Sequence, residues 1–187
     1  MTVEVTTNLL SEISPRQMGF LKKLASRVIR YTLRREGVDS RKVQVSVLFT
    51  CDDFIASLNK RYRDEEGPTD VLAFPMNEGE DSEDIDPDID PYVEPDVEPD
   101  IEPGVAPDVE PGVEPVGPSM PLMLGDIVIS LDTASRQAES QGKPLRQELA
   151  LLLVHGTLHL LGYDHDDPQK EAIMWAKQDA ILKALNI

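Results

Sequence analysis

An acidic, proline-rich segment at residues 77–120 divides the chain and limits what the chain can fold into. The segment contains 16 acidic residues, no lysine or arginine, and nine of the 15 prolines. From Asp84 to Pro115 it consists of eight four-residue units, each ending in proline with Ile or Val two places earlier. Because a polyproline II helix has three residues per turn, this repeat forms no apolar stripe. We expect a disordered, extended loop insertion.

The rest of the chain has the size and composition of one ordinary domain. The whole chain of 187 residues has a formal charge of −17, whereas the 143 residues outside the segment carry 19 acidic and 18 basic side chains. The strongly acidic average therefore does not exclude a nucleic-acid partner. We predict a single domain over residues 1–187 with the 77–120 repeat inserted in it.

The cysteine content and the hydropathy of the sequence indicate the cellular compartment in which we expect the protein. Cys51 is the only cysteine, so the chain forms no internal disulfide. The N-terminus has no basic region followed by an apolar stretch, so we expect no signal peptide. The longest apolar run, Leu149–Val154, is far shorter than the roughly 20 residues of a membrane span. We expect a cytoplasmic protein with no membrane partner.

Short strands and amphipathic helices follow one another in the remaining sequence. Alternating apolar residues predict strands at residues 3–6, 43–49, 69–74 and 126–131. Helix start signals are found at five places, namely Ser14-Pro15, Asp52 or Asp53, Asp132, Pro144 and Asp167-Pro168. The mixture predicts an α+β domain with one small mixed sheet packed against helices.

The last two predicted helices differ in how their apolar residues are arranged. The helix from Pro144 to Leu160 is apolar nearly all round, which indicates a central position. In the last helix we expect Trp175 to belong to the core, and the same holds for Tyr163 before it. Asp126 either lines a site or begins its strand, and we favour the second role.

All three histidines lie within eleven residues. His155 and His159 are four apart, so on a helix they point the same way, about one turn from each other. Gly162 is placed to end that helix, which allows His165 to return towards the pair. Three neutral imidazoles arranged in this way suit zinc or a similar divalent ion.

The histidine spacing equals that of the zinc-protease pattern H-E-x-x-H-x-x-G-x-x-H, with one difference. The general-base glutamate of that pattern is replaced by Gly156, which cannot transfer a proton. With no further soft ligand in view, we expect an open metal position that holds water. Phosphodiester cleavage is then favoured over a peptidase, since a metal polarises a phosphoryl oxygen and activates water.

The segment His155–His165, HGTLHLLGYDH, resembles the signature of the YbeY family, bacterial metal-dependent endoribonucleases of ribosomal RNA maturation. Leu58–Arg63 with Pro68–Pro75 resembles the family's upstream block, which more often has Ser at the position of Ala73. Leu124–Ser130 resembles its second strand block. The family usually joins these blocks by a short connection, so the 77–120 repeat is a departure.

The resemblance implies a zincin-like fold, with one zinc per chain held by His155, His159 and His165. It also implies that Arg63 is catalytic, and an arginine beside a metal is able to bind phosphate and stabilise developing charge. Asp164 either orients a ligand histidine or stabilises the Gly-Tyr-Asp turn. Thr69-Asp70 is expected to shape the start of a strand.

The implied function is a single-strand-specific endoribonuclease in late 16S rRNA 3′-end maturation and ribosome quality control. Implied partners are ribosomal RNA, the small ribosomal subunit, one of its proteins and the Era GTPase. Two alternatives remain, a zincin-type metalloprotease and a non-catalytic ribosome assembly factor stabilised by its metal. RNA binding needs basic surface, for which the sequence offers these residues on the first two helices: Arg27, Arg30, Arg34, Arg35, Lys60, Arg61 and Arg63.

Overall fold

The computed structural model describes residues 2–9, 13–76, 121–164 and 167–187. The predicted loop insertion at 77–120 and the third predicted metal ligand, His165, lie outside the described residues. The chain on either side of the repeat, Met1–Asn77 and Met120–Ile187, forms one compact unit.

The described strands form one mixed sheet. They are β1 (Thr2–Thr7), β2 (Val43–Thr50), β3 (Val71–Pro75) and β4 (Leu122–Ser130), in the order β1-β2-β4-β3. β1 and β4 run parallel to β2, while β3 pairs antiparallel with β4. Side chains of β2 alternate between buried and half-buried positions, as its sequence predicts. The small mixed sheet is thus confirmed.

Five α-helices accompany the sheet in the described part of the chain. They are α1 (Pro15–Arg35), α2 (Asp52–Arg63), α3 (Leu131–Ser140), α4 (Leu145–Leu160) and α5 (Pro168–Leu185), with a short 3-10 helix at Ser40–Lys42. α4 contacts α1, α3, α5, β3 and β4, and ten of its sixteen residues are buried. The predicted central position of α4 and the predicted α+β class are confirmed. None of the described helices combines the length and apolarity needed to cross a membrane.

Gly125 allows β3 and β4 to approach closely at a bulge. The register of β2 against β4 shifts between Gln44 and Val45, where β4 carries one extra residue. Gly125 has φ +139°, and a Cβ atom there would lie 2.1 Å from the carbonyl oxygen of Phe74. Only glycine fits this position, because the conformation and the contact both exclude a side chain.

Several predicted boundaries were wrong by a few residues. Ser130, rather than Asp132, caps α3, because its hydroxyl accepts from the backbone N–H of Thr133. Asp52 is the first residue of α2 rather than its cap, and its carboxylate contacts α3 instead. Asp126 lies inside β4, not at its start, since the strand begins at Leu122.

The core prediction for α5 was wrong at Trp175, whose side chain is 55% exposed. The buried stripe of α5 is formed by Met174, Gln178, Ile181 and Leu185, which recur at helical spacing. The polar Gln178 within this stripe conceals the pattern in the sequence. Tyr163, by contrast, is half-buried against the core.

Candidate active site

Three elements meet at a pocket of about 180 Å³. α4 contributes two histidines and a glycine, the end of α2 contributes an arginine, and β3 contributes its first residues together with the loop before it. The lining residues are Arg63, Thr69, Asp70, Val71, Ala73, His155, Gly156 and His159. Four residues were predicted to bind metal or to act in catalysis. The structure brings His155, His159 and Arg63 together in this pocket, and His165 lies outside the described residues.

The two described histidines face each other across one turn of α4. Their rings are half-buried, with centroids 4.7 Å apart and planes inclined by 75°. The Nε2 atoms of His155 and His159 are 3.1 Å apart. Two nitrogens bound to one tetrahedral zinc ion at about 2.0–2.1 Å lie roughly 3.3 Å apart. The pair therefore fits two neighbouring ligand positions of one ion.

Gln178 of α5 orients His155. Its Oε1 lies 3.2 Å from Nδ1 of His155, so the ring donates from Nδ1 and its Nε2 lone pair faces His159 and the pocket. Such a hydrogen bond sets the tautomer of a metal-binding imidazole. Sequence reasoning missed Gln178, although a polar residue at an inward position of an amphipathic helix was the available signal.

The described residues contain no group of three or more His, Cys, Asp or Glu side chains suited to a metal. Among the described residues, His155 and His159 by themselves do not make a complete metal site. α4 ends at Leu160, and Gly162 follows with φ +83°, which confirms the predicted helix end. Asp164 is half-buried in the loop that follows.

Gly156 lies where α4 packs closely against Ile127 of β4. A Cβ atom at this position would lie 2.9 Å from Cγ2 of Ile127, which is fully buried in β4. A general base at residue 156, as in the zinc-protease pattern, would displace the sheet residues behind it. Glycine at residue 156 therefore suits the packing against Ile127, and it leaves the position without a proton-transfer group.

Arg63 is brought to the pocket by the end of α2. It is the last helical residue, and Asp64 after it adopts the left-handed conformation with φ 56°. The buried Asn59 donates from Nδ2 to the carbonyl oxygen of Gly67 at 3.1 Å, which holds the loop after the helix. The exposed Arg63 side chain lines the pocket beside both histidines.

Asp70 is held at the pocket by three hydrogen bonds. Oδ1 accepts from the backbone N–H of Val71 at 2.8 Å and from the hydroxyl of Thr69 at 3.3 Å. Oδ2 accepts from Nε2 of Gln137 at 3.0 Å. The predicted role of Thr69-Asp70 at the start of β3 is confirmed, and Gln137 of α3 is a support that the sequence did not reveal.

The loop after α4 is attached to two helices through Tyr163. Its hydroxyl donates to Oε2 of Glu36 at 2.6 Å, and Nζ of Lys177 donates to the same oxygen at 2.8 Å. Burial raises the pKa of Glu36, but the hydrogen bonds from Lys177 and Tyr163 outweigh it, so the pKa is lowered. The hydrogen bond to Glu36 raises the pKa of Lys177. The chain next to Asp164 is thereby fixed to α1 and α5.

The fold and the site define an α+β protein in which two histidines of one helix share a pocket with an arginine. Comparison with known proteins supplies the family, since the family model described as Endoribonuclease YbeY matches residues 10–186. The chain belongs to the YbeY endoribonuclease family.

Individual relatives match over most of their length. The endoribonuclease YbeY of Pelotomaculum thermopropionicum is 36% identical over 167 residues, covering 89% of this chain and 88% of that protein. The endoribonuclease YbeY of Bacillus subtilis is 34% identical over 166 residues, covering 88% of this chain and 86% of that protein. The solution structure of TM1509 from Thermotoga maritima has a TM-score of 0.49 and 20% identity, covering 97% of this chain and 87% of that one.

Proposed function

We propose that the protein is a zinc-dependent endoribonuclease that cleaves single-stranded regions of ribosomal RNA in the cytoplasm. The substrates would be the 3′ end of the 16S rRNA precursor during late small-subunit maturation, and the RNA of defective ribosomes. The small ribosomal subunit, one of its proteins and the Era GTPase would be its partners. We also propose a zincin-like fold for the domain. The observation that carries the proposal is the pocket that His155, His159 and Arg63 share in a member of an endoribonuclease family.

His155, His159 and His165 would hold one zinc ion, and Gln178 would keep His155 in the tautomer that binds metal through Nε2. When bound, the ion would supply Lewis-acid polarisation of a phosphoryl oxygen and a lowered pKa for its water. The 3.1 Å separation of the two described Nε2 atoms supports this assignment. Asp164, in the loop before His165, would orient one of the ligand histidines.

Arg63 would bind the scissile phosphate. A guanidinium presents two parallel N–H donors to a phosphate, and charge-assisted bonds of this kind are the strong ones. The exposed position of Arg63 leaves it accessible to an RNA strand that enters the pocket. As negative charge grows on the phosphate oxygens in the transition state, a fixed guanidinium stabilises that state more than the ground state.

A zincin-type protease is disfavoured by the surroundings of Gly156. That position holds no proton-transfer group, and Ile127 leaves no space for one.

The test is metal content measured together with cleavage of structured ribosomal RNA. We expect about one zinc per chain in the wild type, in line with a single histidine site. His159→Ala should lose the metal and the cleavage, whereas Arg63→Ala should keep the metal and lose cleavage by about 10²–10³-fold, the usual cost of removing one donor to a developing charge.

Arg146→Ala is the matched control. Arg146 is exposed near the start of α4, the helix that carries both histidines, and it does not line the pocket. Full cleavage by this variant would show that loss of one positive charge is not the cause. If the wild type binds metal but shows no cleavage that Arg63→Ala abolishes, the result would instead support the alternative that the protein is a non-catalytic ribosome assembly factor. Metal-dependent digestion of casein would support the protease.

A further inference from the structure

A groove of about 600 Å³ runs along the exposed side of α1, beside the C-terminal end of α5. Five cationic side chains line it, and no carboxylate does. The five are Lys22, Lys23, Arg27, Arg30 and Arg34. The groove shares no residue with the candidate active site.

The groove cations form a row. Lys23, Arg27, Arg30 and Arg34 recur at intervals of four, three and four residues, so they lie on one side of α1. At 1.5 Å per residue the row extends over roughly 16 Å of helix axis. All of them are exposed. A row of this kind matches a linear polyanion better than a compact anion such as free phosphate.

These cations have no acidic partner within 4 Å among the residues that the structure describes. Basic side chains elsewhere in the described chain do form such ion pairs, as Lys60 does with Asp64 and Arg136 with Asp52. The charge of the groove is therefore not neutralised by its own surroundings.

Two further contacts shape the groove. Arg27 donates from Nη2 to the carbonyl oxygen of Leu185 at 3.1 Å, which ties the floor of the groove to α5. The guanidinium of Arg34 lies over the ring of Tyr31, 5.5 Å from its centroid. Aromatic and guanidinium planes beside a line of cations are the features with which proteins hold single-stranded nucleic acid.

We propose that this groove is a second RNA-binding surface, which holds the sugar-phosphate backbone of a single-stranded segment away from the pocket. The proposal rests on the proposed function for the identity of the polyanion. Arg30 and Lys23 bind phosphates there, and Arg34 with Tyr31 provides a stacking plane. The groove supplies affinity without sequence preference, because its contacts are to the backbone.

The experiment measures fluorescence anisotropy of labelled, 2′-O-methylated single-stranded RNA of about 16 nucleotides, the upper size of a common single-strand site. Lys23→Ala/Arg30→Ala is compared with Arg41→Ala/Arg146→Ala, which removes the same charge outside the groove. We expect the groove variant to lower the slope of log affinity against log salt by about 1.4, at about 0.7 per phosphate contact. The control variant should keep the wild-type slope.

An equal change in both variants would overturn the proposal, since it would indicate a general charge effect. Competition by polyglutamate as strong as that by RNA of equal charge would also overturn it, in favour of an acidic protein segment. The RNA is analysed on a gel after each titration, so that binding is read on intact RNA whether the cleavage uses water or a 2′-OH as nucleophile. A failure of the cleavage test with the slope change intact would therefore refute the proposed function and leave the groove as a polyanion site.

Discussion

At the scale of single residues, Gly156 couples the candidate active site to the sheet. Gly156→Ala adds a Cβ atom 2.9 Å from Cγ2 of the buried Ile127, so α4 or β4 must move. Overpacking of a core costs about 1–3 kcal/mol, which exceeds the gain of about 1 kcal/mol from better helix propensity. We expect a lower free energy of unfolding, measured by urea denaturation with a chelator present.

Gly19→Ala is the control for helix propensity. Gly19 lies within α1, and a Cβ atom there has nothing within 4 Å. This variant should be more stable by about 0.5–1 kcal/mol. The packing explanation would fail if alanine at both positions changed stability in the same direction.

At the scale of elements, Asp52 joins α2 to α3. Its Oδ1 accepts from the hydroxyls of Ser130 at 2.5 Å and Thr133 at 2.7 Å, and its Oδ2 pairs with Arg136 at 2.7 Å. Burial raises the pKa of Asp52, but the hydrogen bonds from these three residues outweigh it, so the pKa is lowered. This carboxylate therefore contributes stability above its unfolded pKa of about 3.9, and the contribution is lost as the pH falls through the folded value.

Asp52→Asn tests this contribution. At pH 7 the variant should lose about 1–3 kcal/mol of unfolding free energy, since hydrogen bonds to a charged group are replaced by weaker ones. The difference in unfolding free energy between variant and wild type should shrink as the pH falls from about 3.9, the unfolded pKa, through the lower folded pKa of Asp52. Urea denaturation at pH 7 and at a pH well below about 3.9 measures this difference. A difference that stays constant between them would show that charge on Asp52 is not the cause.

The helices and the site residues that they carry differ in how far the sequence predicted them. Strong local signals located the helices, because Ser14-Pro15 and Asp167-Pro168 provide a cap and a first-turn proline. The histidine pair was predictable since its spacing is helical. The hydrogen-bond partners of Gln178 and Gln137 were not predictable, because His155 and Asp70 are distant in sequence and only the tertiary fold brings each pair together.

At the scale of the whole molecule, the sequence combines a strongly acidic repeat at 77–120 with a domain whose groove on α1 is lined by cations. The sequence revealed both the acidic repeat and the basic side of the first helix, but it did not reveal that the end of α5 completes a groove beside these cations. β3 and β4 are antiparallel neighbours, and the backbone N–H of Met76 donates to the carbonyl oxygen of Leu124 at 3.0 Å. A short connection can therefore replace the repeat between these strands.

Deletion of residues 80–118 tests what the repeat does to RNA binding. The deletion removes 15 acidic residues and no basic one, which changes the formal charge from −17 to −2. We expect tighter binding of single-stranded RNA at low salt and equal binding at high salt, because repulsion between the repeat and phosphates is screened over about 10 Å at 0.1 M salt. A full-length variant with Asn for Asp and Gln for Glu throughout 80–118 separates charge from length, and it should bind as the deletion does. Unchanged affinity at low salt in both variants would exclude repulsion by the repeat, and the insertion would then be neutral towards RNA.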